Sequence, residues 1–394
     1  MIDFISVWTL AASLGLFGYT YFGYPGLLWL IGRIAAKPIP TGGDEDGLWP
    51  TVSISVPAYN EEAQIEDLIK SLLALDYPRD RLQIVVTSDG SSDGTEGIVE
   101  RYAGQGVELL RTPERGGKTR AENFAARHLT GDIIVNTDAS IRIAPDALKP
   151  LLAVFRDPEI GCASGRDVSV SSEADTANAG ESGYVGYEMA VRDLETQVAG
   201  IVGASGCFYA IRAELHRLPL PESLSRDFAA ALNTREQGYR PVSVAEAVCY
   251  VPRTTSLRKE YRRKVRTITR GMQTLWYKRH MMNPFRFGWF AWMLVSHKVC
   301  RWALPWAVVA AGLAMVALAT GSAVAAAVVA VGLIGLVLAA VGWMRAEAES
   351  VPKLFSVPAY LVAGNLAAAH AFVRAVTGAR DALWEPTRRE VVKA

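Results

Sequence analysis

The chain has 394 residues, is 50% hydrophobic and 21% charged, and sets 41 Lys plus Arg against 40 Asp plus Glu. It is too apolar for a disordered tail, too long for one ordinary domain, and too evenly charged for a nucleic-acid binder. Four cysteines without a CxxC spacing (Cys162, Cys207, Cys249, Cys300) and five histidines without an HExxH give neither a disulfide framework nor a zinc site.

From the N-terminus, 29 uncharged residues lie between Asp3 and Arg33. About 20 apolar residues suffice to cross a bilayer, so this segment reads as a transmembrane helix. Its start carries no basic residue, which argues against a cleaved secretory signal. A polar region follows from Pro50 to Arg253. The stretch from Arg253 to Arg301 holds thirteen Lys or Arg and one acid, Glu260, a local charge of +12 that leaves −11 for the rest of the chain. Such a belt suits anionic lipid or polyphosphate. Beyond it come 43 uncharged residues from Trp302 to Met344, broken at Thr320, Gly321 and Ser322, which predict two helices joined by a tight hairpin. A last apolar stretch runs from Leu354 to Val373. Arg33, Lys37 and the basic belt place the intervening domain in the cytoplasm by the positive-inside rule. Four spans would put the C-terminus outside, whereas Arg374, Arg380, Arg388, Arg389 and Lys393 favour the inside. Either the segment from Leu354, with Pro358, Asn365 and His370, is re-entrant or interfacial, or the rule fails for it.

Within the polar region, Thr51–Val56, Leu82–Val86 and Ile133–Asn136 are compact apolar runs that predict buried parallel strands. Helical spacing of Ile65, Leu68, Ile69 and Leu72 predicts a helix over Glu61–Leu75, and another covers Ala121–His128. This alternation predicts a doubly wound open sheet with ligands at the carboxyl ends of its strands. Each strand runs into a polar loop with an acid: Pro57-Ala58-Tyr59-Asn60-Glu61-Glu62, then Ser88-Asp89-Gly90-Ser91-Ser92-Asp93-Gly94, then Asp138-Ala139-Ser140. Asn60, Asp89 and Asp93 are equally typical of helix caps and turns. There is neither a GxGxxG nor a GxxxxGK[ST] segment, while Gly116-Gly117-Lys118 offers one cation before a helix.

Together these motifs resemble the family 2 inverting glycosyltransferases, in particular the membrane-embedded group of cellulose, chitin and hyaluronan synthases and exopolysaccharide transferases. The resemblance covers about Val52 to Arg270. It implies an α/β, GT-A type (Rossmann-like) mixed-sheet domain over residues 50–253, an N-terminal transmembrane helix over 1–36, basic amphipathic interfacial helices over 254–298, transmembrane helices over 299–377 and a basic tail over 378–394. Pro57, Tyr59, Asn60, Glu61 and Asp89 would hold the nucleotide base and ribose, Gly117 and Lys118 the diphosphate. Asp138 stands at the first position of the family's Asp-x-Asp motif, where it would hold a divalent Mg or Mn ion with the diphosphate, but Ser140 replaces the second carboxylate. Asp227, in Ser225-Arg226-Asp227-Phe228, stands at the position of the catalytic base, with Arg226 in place of a preceding acid; its alternative role is a helix N-cap. Gly203, Ser205 and Gly206, with Arg226 and the Glu181–Glu188 stretch that holds Tyr184 and Tyr187, would lie on the acceptor side. Arg270 stands at the Arg of the family's Gln-x-x-Arg-Trp motif, near the donor diphosphate, while Gly271 replaces the Trp that stacks beneath the acceptor in processive synthases. The resemblance therefore implies transfer of one sugar from a nucleotide sugar, foremost a UDP-sugar, to a lipid-linked (polyprenyl-phosphate) saccharide at a bacterial inner membrane, with the catalytic domain cytoplasmic. The alternatives are a processive synthase that secretes its polymer and a catalytically silent membrane subunit.

The basic stretch repeats Leu257, Tyr261, Val265, Ile268, Met272, Leu275 and Trp276 at helical spacing, which predicts an interfacial helix with its apolar stripe in the lipid headgroups and an aromatic belt continued by Trp289 and Trp292.

Overall fold

A computed structural model of the chain describes residues 2–40, 49–170, 178–252, 256–346 and 351–379, and the side chains of 2 and 178–182 are left aside. The basic tail expected after residue 378 lies almost wholly outside the described residues.

The strands are β1 (Val52–Ala58), β2 (Leu82–Ser88), β3 (Val107–Arg111), β4 (Ile133–Thr137), β5 (Arg142–Ile143), β6 (Ile160–Val170), β7 (Phe208–Arg212) and β8 (Arg240–Pro252). They form one sheet in the order β3-β2-β1-β4-β7-β6-β8-β5. The first four strands of that order are parallel, in the register Val52↔Leu82, Val52↔Ile133 and Ile84↔Val107. This is the doubly wound half expected from the alternating apolar runs. It holds one strand more than the sequence indicates, because β3 is an edge strand carrying Glu108 and Arg111 and shows no clean apolar run.

β7 runs antiparallel to β4, with Thr137 opposite Phe208. That reversal makes the sheet mixed, and it also places the loop entering β7, residues 203–207, beside the loop leaving β4. Sites in open α/β sheets gather at the strands' carboxyl ends, and here the antiparallel strand brings a further loop to that edge.

Two layers of helix cover the sheet. On one face Ile65, Leu68, Ile69 and Leu72 of the helix Ile65–Leu73 are all fully buried against Val52, Ile54, Val56, Ile84 and Val86. Each contributes about 2 kcal/mol by leaving water. On the other face Ala230 and Ala231 of the helix Arg226–Glu236 pack on Ile134, Cys162, Tyr209 and Ile211.

Among the described residues, four helices are long and apolar enough to cross a membrane: Asp3–Ala35, Trp289–Leu318, Ala323–Met344 and Lys353–Val376. The first and second each contain one wide turn of π-helix, at Tyr19–Gly23 and Val295–Val299. The hairpin falls at Ala319–Ser322 as the sequence predicts. Lys353–Val376 is one unbroken helix through Pro358, about 36 Å long at 1.5 Å per residue, so the segment is not folded back on itself. Exposed Leu and Val along all four, such as Leu14, Leu313, Leu333 and Leu361, leave an apolar surface that water would disfavour. The protein is membrane-associated.

The basic helix, Leu257–Tyr277, departs from expectation. Val265, Thr269 and Leu275 are buried within the protein, and the helix lies against Lys353–Val376: Tyr261 Oη is 3.1 Å from His370 Nδ1 and Lys264 Nζ donates to Tyr360 Oη at 2.9 Å. The stripe predicted to enter lipid is thus largely a helix–helix contact. Arg263 is also engaged, by both oxygens of Glu260. Lys259 and Arg262 are exposed on this helix, and the exposed aromatic residues sit further on, at Trp276, Tyr277, Phe285 and Trp289, beside exposed Arg279 and Arg286.

Candidate active site

The loops after β1 and β2 are tied to each other before they meet any ligand. Asn60 has φ +52°, the only positive value at a non-glycine among the described residues, and its Oδ1 accepts from Ser92 N at 2.8 Å while its own N donates to Ser91 Oγ at 3.1 Å. Glu61 is buried and its N donates to Thr95 Oγ1 at 2.8 Å. Asp93 accepts from Thr95 N at 3.0 Å and from Glu62 N at 3.2 Å. The turn-and-cap reading of Asn60 and Asp93 is therefore what these side chains do here. Pro57 lies inside β1, and Tyr59 stacks under the Arg115 guanidinium at 3.8 Å, leaving a ring and a cation side by side at the sheet edge.

Asp89 is buried at the end of β2. Its Oδ1 accepts from Gly116 N at 2.9 Å and its Oδ2 from Gly117 N at 2.7 Å. Gly117 has φ +91°, a conformation a side chain would strain, which turns its N–H onto that carboxylate. Asp89 thereby positions the Gly116-Gly117-Lys118 loop.

Lys118, first residue of the helix Lys118–Ala125, pairs with Asp138 Oδ1 at 2.5 Å and reaches Gly206 O at 3.3 Å. Burial alone would lower the ammonium's pKa, but the carboxylates of Asp138, Glu122 and Asp227 outweigh it and hold the pKa above its ordinary value. Lys118 is thus a fixed cation among three acids. Glu122, which the sequence reading missed, is 2% exposed; burial raises its pKa, against the pull of Lys118 and Arg226. Its signal was its position, one helical turn after Lys118 on the same face.

Asp227 sits in the first turn of the helix Arg226–Glu236, whose N-cap is Ser225 rather than Asp227, with Oδ1 held by Ser225 Oγ. Its Oδ2 lies so close to the Gly206 backbone that a Cβ there would come within 2.7 Å. Asp227 and the Lys118–Asp138 pair thus share one edge of the sheet, joined through Gly206. Ser205, also buried, donates to Asp167 at 2.7 Å and braces this loop against β6. Gly203 lies beside Phe228 and Lys298.

Two expected placements change. Arg226 does not face the acceptor side: it is 7% exposed, 3.6 Å from Glu122, and donates to His216 O at 3.0 Å and to Asn123 Oδ1. It locks the Asp227 helix to the Lys118 helix. Arg270 donates to Thr119 Oγ1 at 2.7 Å and to Leu224 O at 2.5 Å, so it reaches the residue beside Lys118 and braces the basic helix to the catalytic domain. Neither bond was legible in sequence, since both partners are remote.

For a metal, the described residues hold no group of three His, Cys, Asp or Glu side chains that would bind an ion by themselves. Asp138 offers one carboxylate, and Cys207 Sγ stands 3.9 Å from its Oδ2. The donor set fits a hard divalent ion only if a diphosphate and water complete the shell.

Residues 53–216 match the family model described as glycosyl transferase family 2. The solved mannosyltransferase PcManGT from Pyrobaculum calidifontis, in complex with GDP-Man and Mn2+, superposes with a TM-score of 0.73 at 25% identity, covering 96% of this chain and 100% of that one. An N-acetylglucosaminyltransferase of Mesorhizobium japonicum is 33% identical over 143 residues, 35% of this chain and 33% of that protein. A beta-monoglucosyldiacylglycerol synthase of Synechocystis is 30% identical over 176 residues, 43% of this chain and 36% of that protein. The chain thus spans about a third of the length of the curated relatives it matches. Residues 53–216 thus form a family 2 glycosyltransferase domain with the GT-A fold.

Proposed function

We propose that the chain is an inverting glycosyltransferase that moves one sugar from a nucleoside-diphosphate sugar to a lipid-held acceptor at the membrane surface. The observation that carries this reading is Asp227, a carboxylate fixed by Ser225 and pressed against Gly206 beside the Lys118–Asp138 pair. A base and a cation at one edge suit an in-line displacement. The acceptor hydroxyl forms the new bond to the anomeric carbon and gives its proton to Asp227. The bond from that carbon to the diphosphate breaks, and its electron pair leaves on the phosphate oxygen, beside the Lys118 ammonium. A divalent ion, Mg or Mn, would be held by Asp138 and the diphosphate and would neutralise the leaving group. The Mn2+ complex of PcManGT supports such an ion.

UDP-sugars are the first donors to test, with GDP-mannose beside them because PcManGT holds that nucleotide sugar. A lipid acceptor is supported by the four apolar helices beside the site and by the resemblance to a glucosyldiacylglycerol synthase. The acceptor we favour is a polyprenyl-phosphate-linked saccharide on the cytoplasmic side of a bacterial inner membrane, with diacylglycerol as its rival. Gly271 supports single transfer over processive synthesis: a Cβ there would already lie 3.3 Å from Trp302 Cζ2, so a stacking tryptophan lacks space.

The test is a nucleotide-sugar panel scored for release of nucleoside diphosphate, with and without each lipid acceptor. One donor should turn over in the wild type and not in a folded Asp227→Asn protein. Turnover that survives in Asp227→Asn removes the proposed base.

A further inference from the structure

A buried polar cluster joins the catalytic domain to the helix Trp289–Leu318. Glu188, on the helix Asn178–Val198, is its hub: Oε2 accepts from Arg301 Nη1, and Oε1 lies 2.8 Å from His297 Nε2, 3.8 Å from Lys298 Nζ and 3.9 Å from Arg192 Nε. His297 uses its other nitrogen on Glu195 Oε1 at 2.5 Å, and Glu195 is further engaged by Tyr24 Oη at 2.5 Å and Val202 N at 3.2 Å.

Two carboxylates, Glu188 and Glu195, face Arg192, Lys298, Arg301 and an imidazole set between them, and Asp193 lies within the field of Arg192. Moreover, Nε and Nη1 of Arg192 and Nε and Nη2 of Arg301 are buried without a hydrogen-bond partner among the described residues, on side chains 11% and 9% exposed. Buried guanidinium donors left unmade are costly. An anion with several oxygens would relieve that cost, and phosphate matches the guanidinium fork.

Position makes the anion an acceptor's. Lys298 Nζ lies 3.7 Å from where a Cβ on Gly203 would stand and 5.6 Å from the Phe228 ring, the residue after Asp227. Lys298 and Arg301 themselves sit on a helix apolar enough to cross the bilayer. A group held here is therefore beside the loop that carries Gly203 and near the lipid phase.

We propose that Arg192, Lys298 and Arg301 form a subsite for the phosphate of a membrane-held acceptor, a lipid phosphomonoester or phosphodiester whose tail lies along Trp289–Leu318. This deepens the reading of a lipid acceptor given above and rests on it for its role in turnover, though not for binding.

The experiment uses the full chain in maltoside micelles and measures binding of farnesyl phosphate, farnesol and inorganic phosphate to the wild type and to Lys298→Gln, Arg192→Gln and Arg192→Lys. Lys298→Gln keeps the test open if removal of the buried arginine impairs folding. Farnesyl phosphate should bind about tenfold or more tightly than farnesol, and each Gln variant should erase about that factor, with Arg192→Lys intermediate and donor hydrolysis unchanged. Equal binding of farnesol and farnesyl phosphate, or full farnesyl phosphate affinity in both folded Gln variants, overturns the subsite. Inorganic phosphate competing at the same concentration as farnesyl phosphate overturns its assignment to a lipid. Charge-dependent binding without transfer to any lipid acceptor leaves the subsite standing and removes the proposed function instead.

Discussion

Gly206→Ala is the substitution that most directly weighs the geometry around Asp227. The added Cβ would lie 2.7 Å from Asp227 Oδ2, so the carboxylate must retreat by about 0.7 Å to reach an ordinary 3.4 Å contact. It cannot simply swing aside, because Ser225 Oγ holds the other oxygen. A misplacement near 1 Å at a reacting group costs up to about a hundredfold in rate, so kcat should fall roughly 10- to 100-fold. Donor affinity should hold, since the contact from Lys118 to Gly206 is to the carbonyl oxygen, which the methyl group leaves in place. Single-turnover transfer measured beside donor binding separates the two. Adding Ser225→Ala frees the carboxylate to move, so the double variant should lose less than the product of the single losses. Wild-type kcat in Gly206→Ala, or a loss seen wholly in donor binding, would refute the assignment of Asp227 as the base.

Asp227→Asn keeps shape and removes the proton acceptor, and should lower turnover by about 10² to 10⁴ with donor affinity retained; calorimetry of donor binding beside product release checks it. Arg270→Lys keeps the charge but loses the two-pronged contact to Thr119 and Leu224, so turnover should fall about tenfold, with a lower melting temperature if the brace is structural as well. Glu236 is held by Lys278 at 2.5 Å and His280 at 2.6 Å; burial would raise its pKa, but these bonds keep it below the ordinary 4.5. A depressed carboxylate stabilises the fold above its unfolded pKa and loses that contribution as pH falls through the folded value. The melting temperature of Glu236→Gln should therefore trail the wild type at pH 7, and the gap should narrow as pH falls below the ordinary 4.5.

How much of this fold could be read from sequence depended on whether a strand is buried on both faces. β1, β2 and β4 are central and parallel, so their apolar runs stand out. β3 is an edge with charged residues, and β6 mixes Gly161, Ser164, Gly165, Arg166 and Asp167 into eleven residues because its partners β7 and β8 lie far away in sequence. The membrane helices were legible from length alone, since a bilayer imposes about 20 apolar residues whatever the packing. The face each helix turns to its neighbours was not. Alternation along Leu257–Tyr277 fixes an apolar stripe, yet whether lipid or the helix Lys353–Val376 covers it is decided by a segment some hundred residues away.

The site shows the same division between residue type and role. Motif positions put Asn60, Asp89, Asp138, Asp227 and Lys118 at one edge of the sheet, and their types alone suggest direct contact with a ligand. In the structure Asn60 and Asp89 spend their hydrogen bonds on neighbouring loops, while Lys118, Asp138 and Asp227 keep their charge at the shared edge. That division has a physical basis. A site that must meet a diphosphate needs its donors fixed beforehand, because ordering loops on binding would consume the interaction energy. Acids one step back from the reacting atoms supply that order by accepting backbone N–H groups, and in sequence such an acid looks identical to one that touches the ligand. Arg226 makes the case sharply. It stands next to the candidate base, where an acid is expected, and its guanidinium turns the other way to close on Glu122, so the residue that seemed a departure in the chemistry is a bolt between the two helices that carry Lys118 and Asp227.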